Sequence, residues 1–568
     1  MRVDTNLINA GQAFLRLLAS RGVSYLFVNS GTDFPSIVEA LACAGDEGFD
    51  VPRTMLLPHE NVAVGMAYGV TMVTGQPQAV MVHVNVGTAN ALCGLINAAR
   101  ENIPMLMAAG RTPWLEKGSP ASRSLNIHWA QEMFDQAGMV REHVKWDYEL
   151  RSGTQMESVL DRALAIARSH PQGPVYLTLP REVMDQPTPM PQDYSTQVPV
   201  ACASPDLQEV ARMAKLMARA QRPLIITSRC GQEPEAVALL AELAERWAWP
   251  VVEFRPRYLS LPSSHPMHGG YEVQPWLAQA DAVLVLDCDV PWIPSQCEPD
   301  AKAAIMHLGS DPLYARYPTR GFRADHSVQA RPAAFLRAFS QAMAHEVADP
   351  ATMQQRRLQA AEMAGARRRH LQQLIESGQA RQPMGMAAVS HALGRALSAQ
   401  PAKAMVINEY SLVAAALQLE EPGSYFGSSP VGGLGWGVPA ALGAKLARPD
   451  AMVVAAVGDG SYLFSNPIAC HHAAAMHGLP ILTLVMNNGG YGAVERATVA
   501  MYPQGRAVAD GMSLVSLQPM PHFEEVVRAC GGWGERVDRY DDLPGALERA
   551  IHEVQHEGRQ ALLNVICS

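Results

Sequence analysis

The sequence predicts an α/β protein in which three successive domains each contain a doubly wound parallel sheet. Short apolar runs that end in small or polar residues alternate with helical patterns along most of the 568 residues. This alternation is typical of parallel strands joined by helices. It is interrupted by a Pro-rich segment at 187–205 and by a segment rich in Ala, Arg, Gln and Met at 350–382. We therefore expect three flavodoxin-like or Rossmann-like domains, joined by a linker and a helical connector.

The strands expected in each domain follow from its apolar runs. In the N-terminal domain, residues 1–186, these runs lie at 25–28, 78–84, 103–109 and 175–179. The middle domain, residues 204–345, has runs at 223–228 and 282–287, and the C-terminal domain, residues 383–568, has runs at 404–407, 452–457 and 481–486. Residues 350–382 carry helix-forming residues without a strand signal, which predicts the helical connector.

The composition argues against several classes of protein. An apolar fraction of 48 % and a charged fraction of 17 % predict a chain that folds throughout. A net charge of −9 provides no basic surface for nucleic acid, and no run of about 18 apolar residues predicts a membrane span. The nine cysteines include no C-x-x-C pair, and no export signal begins the sequence. These features predict reduced thiols in a cytoplasmic protein.

Two of the apolar runs in the C-terminal domain end in glycines and oxygen-bearing side chains. The first run is followed by Gly-Asp-Gly at 458–460, and the second by Asn-Asn-Gly-Gly at 487–490. Doubly wound sheets bind ligands at the carboxyl ends of their strands. An Asp carboxylate, an Asn amide oxygen and a backbone carbonyl are the hard oxygen ligands that suit Mg²⁺. The helix expected to begin at Ser461 adds backbone N–H groups for an anion.

Gly-Asp-Gly, 26 intervening residues and Asn-Asn together resemble the fingerprint of the thiamine-diphosphate-dependent enzymes. The resemblance implies that Asp459, Asn488 and the carbonyl of Gly490 bind Mg²⁺, which in turn binds the diphosphate of the coenzyme. It extends to the fold, because these enzymes consist of pyrimidine-binding, middle and diphosphate-binding α/β domains. The remaining residues assigned to the coenzyme in this part of the chain are Gly458, Gly460, Ser461 and Tyr491.

Two further segments are similar to parts of the same superfamily. In these enzymes a glutamate of the N-terminal domain hydrogen-bonds the aminopyrimidine ring, and the segment 57–63 implies that this residue is Glu60. The segment 432–436 is similar to the one that bends the coenzyme, which implies Leu434 as the apolar fulcrum. The family pairs the N-terminal domain of one chain with the C-terminal domain of another. The resemblance therefore implies a homodimer or a dimer of dimers, a homotetramer, with the active site between subunits.

The segments 144–149 and 171–177 resemble the branch that contains benzoylformate decarboxylase and acetolactate synthase. His83 resembles a catalytic histidine of benzoylformate decarboxylase, and an imidazole there can transfer protons. Thr32 falls where that enzyme has a serine that contacts the substrate. No residue around 291–296 corresponds to its second catalytic histidine, which argues against benzoylformate as the substrate.

Four further side chains and one turn bear on the choice of branch within these families. Pyruvate decarboxylases carry a tandem histidine in the N-terminal domain, whereas His471 and His472 follow the Gly-Asp-Gly motif and are expected to pack against other helices. Tyr410 and Tyr491 are candidates for lining the substrate pocket. The stretch around Tyr410 lacks the Gln-His-Gln-Met run of acetolactate synthase, and 228–231 is a poor substitute for a G-x-G-x-x-G turn. FAD is therefore not favoured as a second cofactor.

These features predict a thiamine-diphosphate- and Mg²⁺-dependent lyase or carboligase that acts on a 2-oxo acid. The resemblance implies decarboxylation to an enamine, which is then protonated to an aldehyde or adds to a second carbonyl to give an acyloin. One alternative is an acetolactate-synthase-like transferase that uses pyruvate and binds FAD. Another is a regulatory paralogue that binds the coenzyme without turnover, although such a protein has no need of Glu60.

Overall fold

The computed structural model describes residues 7–568 and contains three six-stranded sheets that follow one another along the chain. Every strand pairing within these three sheets is parallel. Each of the nine apolar runs identified in the sequence forms a strand, with bounds shifted by no more than two residues. The predicted fold class, an α/β protein of three parallel-sheet domains, is confirmed.

The N-terminal sheet has the order β3-β2-β4-β5-β7-β6. Its elements are β1 (Leu7–Asn9), α1 (Ala10–Ser20), β2 (Tyr25–Asn29), α2 (Pro35–Glu47), β3 (Arg53–Leu56), α3 (Glu60–Thr74), β4 (Gln78–Val82), α4 (Val84–Arg100), β5 (Met105–Arg111), α5 (Ile127–Ala130), β6 (Asp147–Glu149), α6 (Met156–Arg168), β7 (Val175–Pro180), α7 (Arg181–Met184) and β8 (Pro187–Pro189).

The middle sheet has the order β11-β10-β9-β12-β13-β14 and is followed by one long helix, α12. The elements are α8 (Leu207–Arg219), β9 (Pro223–Thr227), α9 (Pro234–Trp247), β10 (Val251–Glu253), β11 (His268–Gly270), α10 (Gln274–Leu277), β12 (Ala282–Leu286), β13 (Ala304–Gly309), β14 (His326–Gln329), α11 (Pro332–Met343) and α12 (Pro350–Ala380).

The C-terminal sheet has the order β16-β15-β17-β18-β20-β19. Its elements are α13 (Met386–Ser398), β15 (Ala404–Glu409), β16 (Tyr425–Gly427), α14 (Gly437–Ala447), β17 (Met452–Gly458), α15 (Asp459–Phe464), α16 (Pro467–His477), β18 (Leu482–Asn487), α17 (Gly492–Met501), α18 (Arg506–Asp510), α19 (Phe523–Ala529), β19 (Trp533–Val537), α20 (Leu543–Gln555) and β20 (Ala561–Ile566).

The outer two sheets share one topology, and the middle sheet has another. When the strands of each sheet are numbered along the chain, the N-terminal and C-terminal sheets both have the order 2-1-3-4-6-5. The middle sheet has the order 3-2-1-4-5-6, which is that of dinucleotide-binding folds. In a doubly wound sheet the order reverses beside the first strand, and loops at the carboxyl ends open there into a crevice.

Helices α3 and α14 join the N-terminal domain to the C-terminal domain. Both consist mostly of small or apolar buried residues, so neither helix has a solvent-facing stripe. Their backbones approach closely at Gly69, where a Cβ atom would lie 2.1 Å from the carbonyl oxygen of Ala440. Any larger residue at Gly69 would therefore push the two helices, and the sheets behind them, apart.

The linker interpretation of residues 187–205 needs one correction. Its first three residues form β8, which pairs antiparallel with β1 through Leu7 and Pro189. Proline has no backbone N–H to donate and is confined to strands at the edge of a sheet. Both strands of a two-stranded ribbon are edge strands, so prolines are tolerated in β8. In residues 7–568, none of the helices combines the length and the apolar character that crossing a bilayer requires.

Candidate active site

Glu60 lies at the carboxyl-end edge of the N-terminal sheet. It is the first residue of α3, and the Nδ1 atom of His59 caps that helix by accepting the N–H of Asn61 at 3.1 Å. The Glu60 side chain is buried against α4, where Asn90 donates its Nδ2 hydrogen to Oε2 at 3.1 Å. The carboxylate is therefore oriented by a neighbouring helix.

His83 follows β4 and pairs with a residue that the sequence did not single out. Its Nδ1 atom lies 2.5 Å from Oδ1 of Asp33. The hydrogen bond to Asp33 raises the pKa of His83, and partial burial opposes this effect. The Asp33 carboxylate packs against Gly110, which has no side chain. A Cβ atom there would lie 1.7 Å from Oδ2 of Asp33 and would displace it. An imidazole held by a carboxylate in this way is a proton donor with a fixed ring orientation.

The backbone beside His83 is strained. Val84 has a φ of 34°, a value that β-branched residues rarely adopt. Its N–H group points to Oδ2 of Asp33 at 3.4 Å, so the Asp33 carboxylate holds both the ring and the following peptide. Strain of this kind persists only where surrounding contacts fix it, and it clusters at functional sites.

A second histidine lies next to Thr32. The Nε2 atom of His128 is 3.4 Å from the Thr32 hydroxyl, and its Nδ1 atom accepts the N–H of Ser124 at 3.1 Å. Burial lowers the pKa of His128, and the positive charges of Arg181 and Arg123 lower it further. Both effects favour the neutral form of the imidazole. It belongs to α5, a single helical turn, so no periodic pattern in the sequence marked it.

Gln131 completes this group. Its Nε2 atom lies 3.3 Å from Nε2 of His83, on the opposite side of the ring from Asp33. Thr32, His83, His128, Gln131 and residues that follow β5 and β7 line one recess at the carboxyl ends of the strands. The structure thus brings together Thr32 and His83, both predicted from the sequence, and adds Asp33, His128 and Gln131.

Asp459 lies at the equivalent edge of the C-terminal sheet. Its Oδ1 atom accepts the N–H of Gly460 at 2.7 Å, and its Oδ2 atom accepts the N–H groups of Gly489 and Gly490 at 2.7 and 3.2 Å. Burial raises the pKa of Asp459, and these backbone donors oppose the rise. The ends of β17 and β18 are neighbours, as the sequence pattern predicted. The Asp459 carboxylate also ties them together through these backbone N–H groups, which the pattern did not predict.

The helix after β17 begins earlier than expected. The sequence predicted a start at Ser461, but α15 begins at Asp459 and has only six residues. Its N-cap is Gly458, which has an extended backbone. Asp459 is therefore in the first turn of α15. Its carboxylate, and not the side chain of a preceding N-cap residue, accepts a free N–H group of that turn, the one of Gly460.

The oxygen atoms at this edge fit Mg²⁺. Asn488 is exposed, and its Oδ1 atom lies 3.3 Å from the nitrogen of Gly490. Together with Asp459 and the Gly490 carbonyl it provides one charged and two neutral oxygen ligands, the kind of set that Mg²⁺ accepts alongside phosphate. No group of three or more His, Cys, Asp or Glu side chains within 7–568 is placed to hold a metal. Three ligands from Asp459, Asn488 and Gly490 would leave the other coordination positions of Mg²⁺ free for diphosphate oxygens.

Tyr491 packs beside the same motif. Its ring lies next to Gly460, where an added Cβ atom would approach the ring carbon Cε1 to 3.0 Å. Its backbone N–H donates to the carbonyl of Val515 at 2.8 Å, which fixes the start of α17. The absence of a side chain at Gly460 therefore leaves room for the Tyr491 ring.

Glu409 was missed as a site residue although it lies at the centre of the C-terminal group. It ends β15 and is 2 % exposed. Its Oε1 atom accepts the N–H of Gly435 at 2.7 Å, and its Oε2 atom accepts that of Gly437 at 2.6 Å. Burial raises the pKa of Glu409 to about 7, while these backbone donors and the Ser461 hydroxyl lower it. One carboxylate thus anchors the loop that carries Leu434.

Helix α4 contacts both groups of residues. Near its start Asn90 holds Glu60, and two turns later Asn97 donates its Nδ2 hydrogen to the carbonyl of Gly433 at 2.8 Å. Leu434, the predicted fulcrum, is half-buried next to this contact. The helix therefore links Glu60 to the loop that was predicted to bend the coenzyme.

Three other sequence-derived residues lie outside these groups. His471 is buried, with Nε2 2.8 Å from the hydroxyl of Tyr462 and Nδ1 2.8 Å from Oε1 of Gln560, so it packs inside the domain as predicted. His472 is exposed on α16, so the packing prediction is wrong for it, because one helical step rotates the side chain to the solvent face. Tyr410 has a φ of 59° and donates its hydroxyl to Ser429.

The crevice of the middle sheet, between β9 and β12, is filled by the protein itself. Arg257 pairs with Asp289 at 2.6 Å and with Glu101 at 3.2 Å. Arg229 lies two residues after the end of β9, is 3 % exposed and donates to the carbonyl of Glu101 at 2.8 Å. Asp287, directly after β12, is partly buried beside these groups. Burial raises the pKa of Asp287, and the positive charges of Arg229 and Arg257 oppose the rise. The usual position of a pyrophosphate is thus occupied by ion pairs.

A larger cavity of about 1680 Å³ lies to one side of this crevice. It is bounded by the carboxyl ends of β10 and β11, by α12 and by the C-terminal domain near Tyr410. Arg255, Arg257, Arg367 and Arg368 contribute positive charge to its lining. Its size exceeds that of a typical small-ligand pocket.

Comparisons with known proteins agree with this arrangement. Family models described as the N-terminal TPP binding domain, the central domain and the C-terminal TPP binding domain of thiamine pyrophosphate enzymes match residues 8–139, 210–339 and 407–565. The chain is 25 % identical to the acetolactate synthase isozyme 3 large subunit of Escherichia coli, over 97 % of this chain and 93 % of that protein. It is 26 % identical to the benzoylformate decarboxylase of Pseudomonas aeruginosa, over 95 % and 96 %.

A solved structure has the same fold. The thiamine diphosphate-dependent 4-hydroxybenzoylformate decarboxylase of Rhodococcus jostii RHA1 superimposes with a TM-score of 0.77 at 20 % sequence identity. The match covers 99 % of each chain. All three domains are therefore shared, in the same order.

Proposed function

Because the chain belongs to the thiamine pyrophosphate enzymes, we propose that it uses thiamine diphosphate and Mg²⁺ to decarboxylate a 2-oxo acid. The product is released as an aldehyde or joined to a second carbonyl compound as an acyloin. The single observation that carries the proposal is the pair of site halves at the carboxyl ends of two sheets with one strand order. Glu60 lies in the first half, and Asp459, Asn488 and Leu434 lie in the second.

Asp459, Asn488 and the Gly490 carbonyl would hold Mg²⁺ and through it the diphosphate. When bound, the coenzyme supplies a nucleophilic carbon and an electron sink for the carboxylate that is lost as CO₂. Glu60 would hydrogen-bond the aminopyrimidine ring, and Asn90 keeps its carboxylate aimed. Leu434, on a loop fixed by Glu409 and Asn97, would support the coenzyme in its bent form.

His83 is assigned to proton transfer at the substrate. Its Nδ1 atom is held by Asp33, which leaves Nε2 facing Gln131 and the recess. With its pKa raised by Asp33, His83 keeps a proton to higher pH than a free imidazole does. A protonated Nε2 can donate to the carbon atom that has lost CO₂, and Asp33 stabilises the charge before the transfer.

Measurement of CO₂ release and of acyloin formation from a panel of 2-oxo acids tests the proposal. The purified protein should be saturated with thiamine diphosphate and Mg²⁺ beforehand. We expect CO₂ from at least one donor, and no CO₂ when Mg²⁺ is removed with a chelator. A saturated protein that leaves every donor unchanged would refute the activity and favour the regulatory paralogue.

We further propose a homodimer or a dimer of dimers with the site between subunits. Exposed apolar side chains on α15 and α16 of the C-terminal domain support it: Phe464 is 52 %, Ile468 68 % and Met476 44 % exposed. Ile468, His472 and Met476 share one face of α16, and such a face on a single chain indicates a partner. Sedimentation analysis of the wild type and of Ile468→Asp tests it, and a monomeric wild type would contradict it.

The acetolactate-synthase-like alternative, with pyruvate and FAD, has one observation in its favour. The cavity beside the middle sheet is large enough for a dinucleotide, but the crevice where its pyrophosphate would be expected is filled by Arg229, Arg257 and Asp289. We therefore expect the purified protein to lack the flavin absorbance band, which lies at about 450 nm. The domain bounds given above and a cytoplasmic location stay predictions.

A further inference from the structure

His128 is a buried histidine of the candidate active site that the proposed function does not use. It belongs to α5 and is 2 % exposed. Its Nε2 atom lies 3.4 Å from the hydroxyl of Thr32, an exposed residue of the loop after β2. Gly31, which precedes Thr32, packs against the ring of His83, and a Cβ atom at Gly31 would lie 2.2 Å from Nδ1 of that ring. His128 therefore contacts the neighbour of the residue assigned to proton transfer.

The loop around α5 fixes the tautomer of His128. The backbone N–H of Ser124 donates to Nδ1 at 3.1 Å. Because a backbone N–H can only donate, Nδ1 accepts and carries no proton. Burial lowers the pKa of His128, and the charges of Arg181 and Arg123 lower it further, so the ring favours its neutral form with a single proton. That proton is therefore on Nε2, and the Nε2–H group donates to the Thr32 hydroxyl.

This tautomer decides the direction of the Thr32 hydroxyl. A hydroxyl group has one hydrogen and two lone pairs. Because a lone pair of Thr32 Oγ1 accepts the Nε2–H group, the hydroxyl hydrogen points away from the imidazole of His128. No acceptor within residues 7–568 takes that hydrogen. With the opposite tautomer, Nε2 would accept the hydrogen, and Thr32 could offer only lone pairs. The tautomer thus makes Thr32 a donor toward a bound molecule.

The segment that carries His128 is held in place by one carboxylate. Glu132 pairs with Arg111 at 2.6 Å and with Arg123 at 2.7 Å, and the Thr112 hydroxyl donates to it at 2.5 Å. The recess around His128 has no room for a water molecule, so no solvent competes for its ring nitrogens. A donor that packing and neighbouring contacts hold in one direction is what precise positioning requires.

The two histidines of the recess differ in charge. Asp33 raises the pKa of His83 through a hydrogen bond, whereas burial and two arginines lower the pKa of His128. Titratable groups whose surroundings push their pKa values apart take different roles in a reaction. A charged His83 can give up a proton, and a neutral His128 keeps its proton and offers it as a hydrogen bond.

We propose that His128 is a positioning residue whose Nε2–H group orients the Thr32 hydroxyl, so that this hydroxyl donates to an oxygen atom of the substrate. The inference rests on the proposed function, because it needs a 2-oxo acid beside His83. Such an acid has carbonyl and carboxylate oxygens, and both are acceptors. The substrate approaches Thr32 from its exposed side, while His128 stays buried and touches no substrate.

Two substitutions separate this role from a merely structural one. His128→Gln can place an amide N–H near the position of Nε2 and gives up the acceptor for Ser124. His128→Asn can place its amide oxygen near the position of Nδ1 and is too short to reach Thr32. With the best donor of the 2-oxo acid panel, we expect His128→Asn to lower kcat/KM roughly 2- to 10-fold, the usual effect of one neutral hydrogen bond, and His128→Gln to lower it less. The reverse order, or equal losses, overturns the inference, because a role in the fold alone depends on the contact with Ser124.

The same assay measures the coupling between His128 and Thr32. Thr32→Val removes the hydroxyl and should lower kcat/KM by itself. In that background His128→Asn should cause no further loss, because substitutions that remove one shared contact are not additive. Thr32→Ser keeps the hydroxyl, so in that background His128→Asn should still reduce kcat/KM. Losses that add in the Thr32→Val background overturn the inference.

Neutron diffraction from deuterium-exchanged crystals of the wild type tests the inference without turnover. We expect deuterium on Nε2 of His128 and none on Nδ1, with the hydroxyl deuterium of Thr32 pointing away from the imidazole. Deuterium on Nδ1, or a Thr32 deuterium that points to Nε2, overturns the inference and leaves the proposed function standing. If no 2-oxo acid releases CO₂, the proposed function fails, and the diffraction result alone decides whether His128 orients Thr32.

Discussion

The N-terminal and C-terminal sheets have the same strand order, yet their carboxyl ends carry different chemistry. In the N-terminal domain, side chains contact side chains: Asp33 holds His83, and Asn90 holds Glu60. In the C-terminal domain, two carboxylates are held by backbone N–H groups of glycines, Asp459 at the ends of β17 and β18 and Glu409 below the Leu434 loop. One strand order thus carries a half in which side chains hold side chains and a half in which carboxylates hold the backbone, because the chemistry of a fold depends on what its loops present. We propose proton transfer for the first half and anion and metal binding for the second.

This difference predicts how each half fails. Where side chains hold side chains, an isosteric substitution alters protonation or aim and leaves the backbone in place. Where a carboxylate holds several backbone N–H groups, its loss leaves buried donors without acceptors and releases a loop. Substitutions in the N-terminal half should therefore change rate and pH dependence, and substitutions in the C-terminal half should change coenzyme binding and stability.

The largest effects are expected from Glu60→Gln and Asp459→Asn, which should differ in coenzyme binding. Both should reduce turnover by roughly 10²- to 10⁴-fold, the usual contribution of a positioned acid or base and of an electrostatic ligand. Only Asp459→Asn should also lose Mg²⁺-dependent binding of thiamine diphosphate, measured by calorimetric titration. Glu39→Gln on the exposed face of α2 is a matched control for Glu60. Retained coenzyme binding in Asp459→Asn, or unchanged turnover in Glu60→Gln, would break the comparison.

The next prediction asks whether the two halves come from one chain. Differently tagged Glu60→Gln and Asp459→Asn chains are co-expressed, and the mixed oligomer is purified through both tags. If the site lies between subunits, each mixed dimer has one intact site and one site with both substitutions. Activity should then recover to about half of wild type, because one of two symmetric sites is restored. If mixed dimers are as inactive as the two parents, both halves belong to the same chain.

A smaller effect is expected from Glu409→Gln. The new amide places an N–H group against the N–H of Gly435 or Gly437 in a site from which water is excluded. A buried backbone N–H that loses its acceptor costs about 1–3 kcal/mol of unfolding free energy. Chemical denaturation measures it, with exposed Glu421→Gln as the control. Coenzyme affinity should fall as well, since the Leu434 loop is released. A stability and affinity equal to those of the control would remove Glu409 from the site.

The smallest effect concerns pH. Asp33 raises the pKa of His83, so the imidazolium survives to higher pH in the wild type than it would alone. In Asp33→Asn the descending alkaline limb of the kcat/KM profile should move to lower pH, because His83 then loses its proton earlier. Asp46→Asn, exposed on α2, changes the net charge equally and should leave the profile in place. A limb that stays put in Asp33→Asn would mean that another group limits the rate.

The sequence predicted the features that depend on consecutive residues. Nine strands were located because each is a run of apolar residues, and Asp459 and Asn488 were found because each directly follows one. Short or mixed strands such as β3 (Arg53–Leu56) and β16 (Tyr425–Gly427) were missed, because edge strands need no continuous apolar run. His128 and Gln131 were missed because they lie in a segment without periodicity.

By itself the sequence determined the α/β class, the coenzyme family and the residues that follow the central strands, because a parallel sheet places the ends of apolar runs at one edge. Only the tertiary structure decided which distant side chains meet. Asp33 reaches His83, and Glu409 reaches Gly435, through contacts between residues 50 and 26 positions apart. Such pairs depend on strand order and loop path, which single-sequence periodicity does not encode.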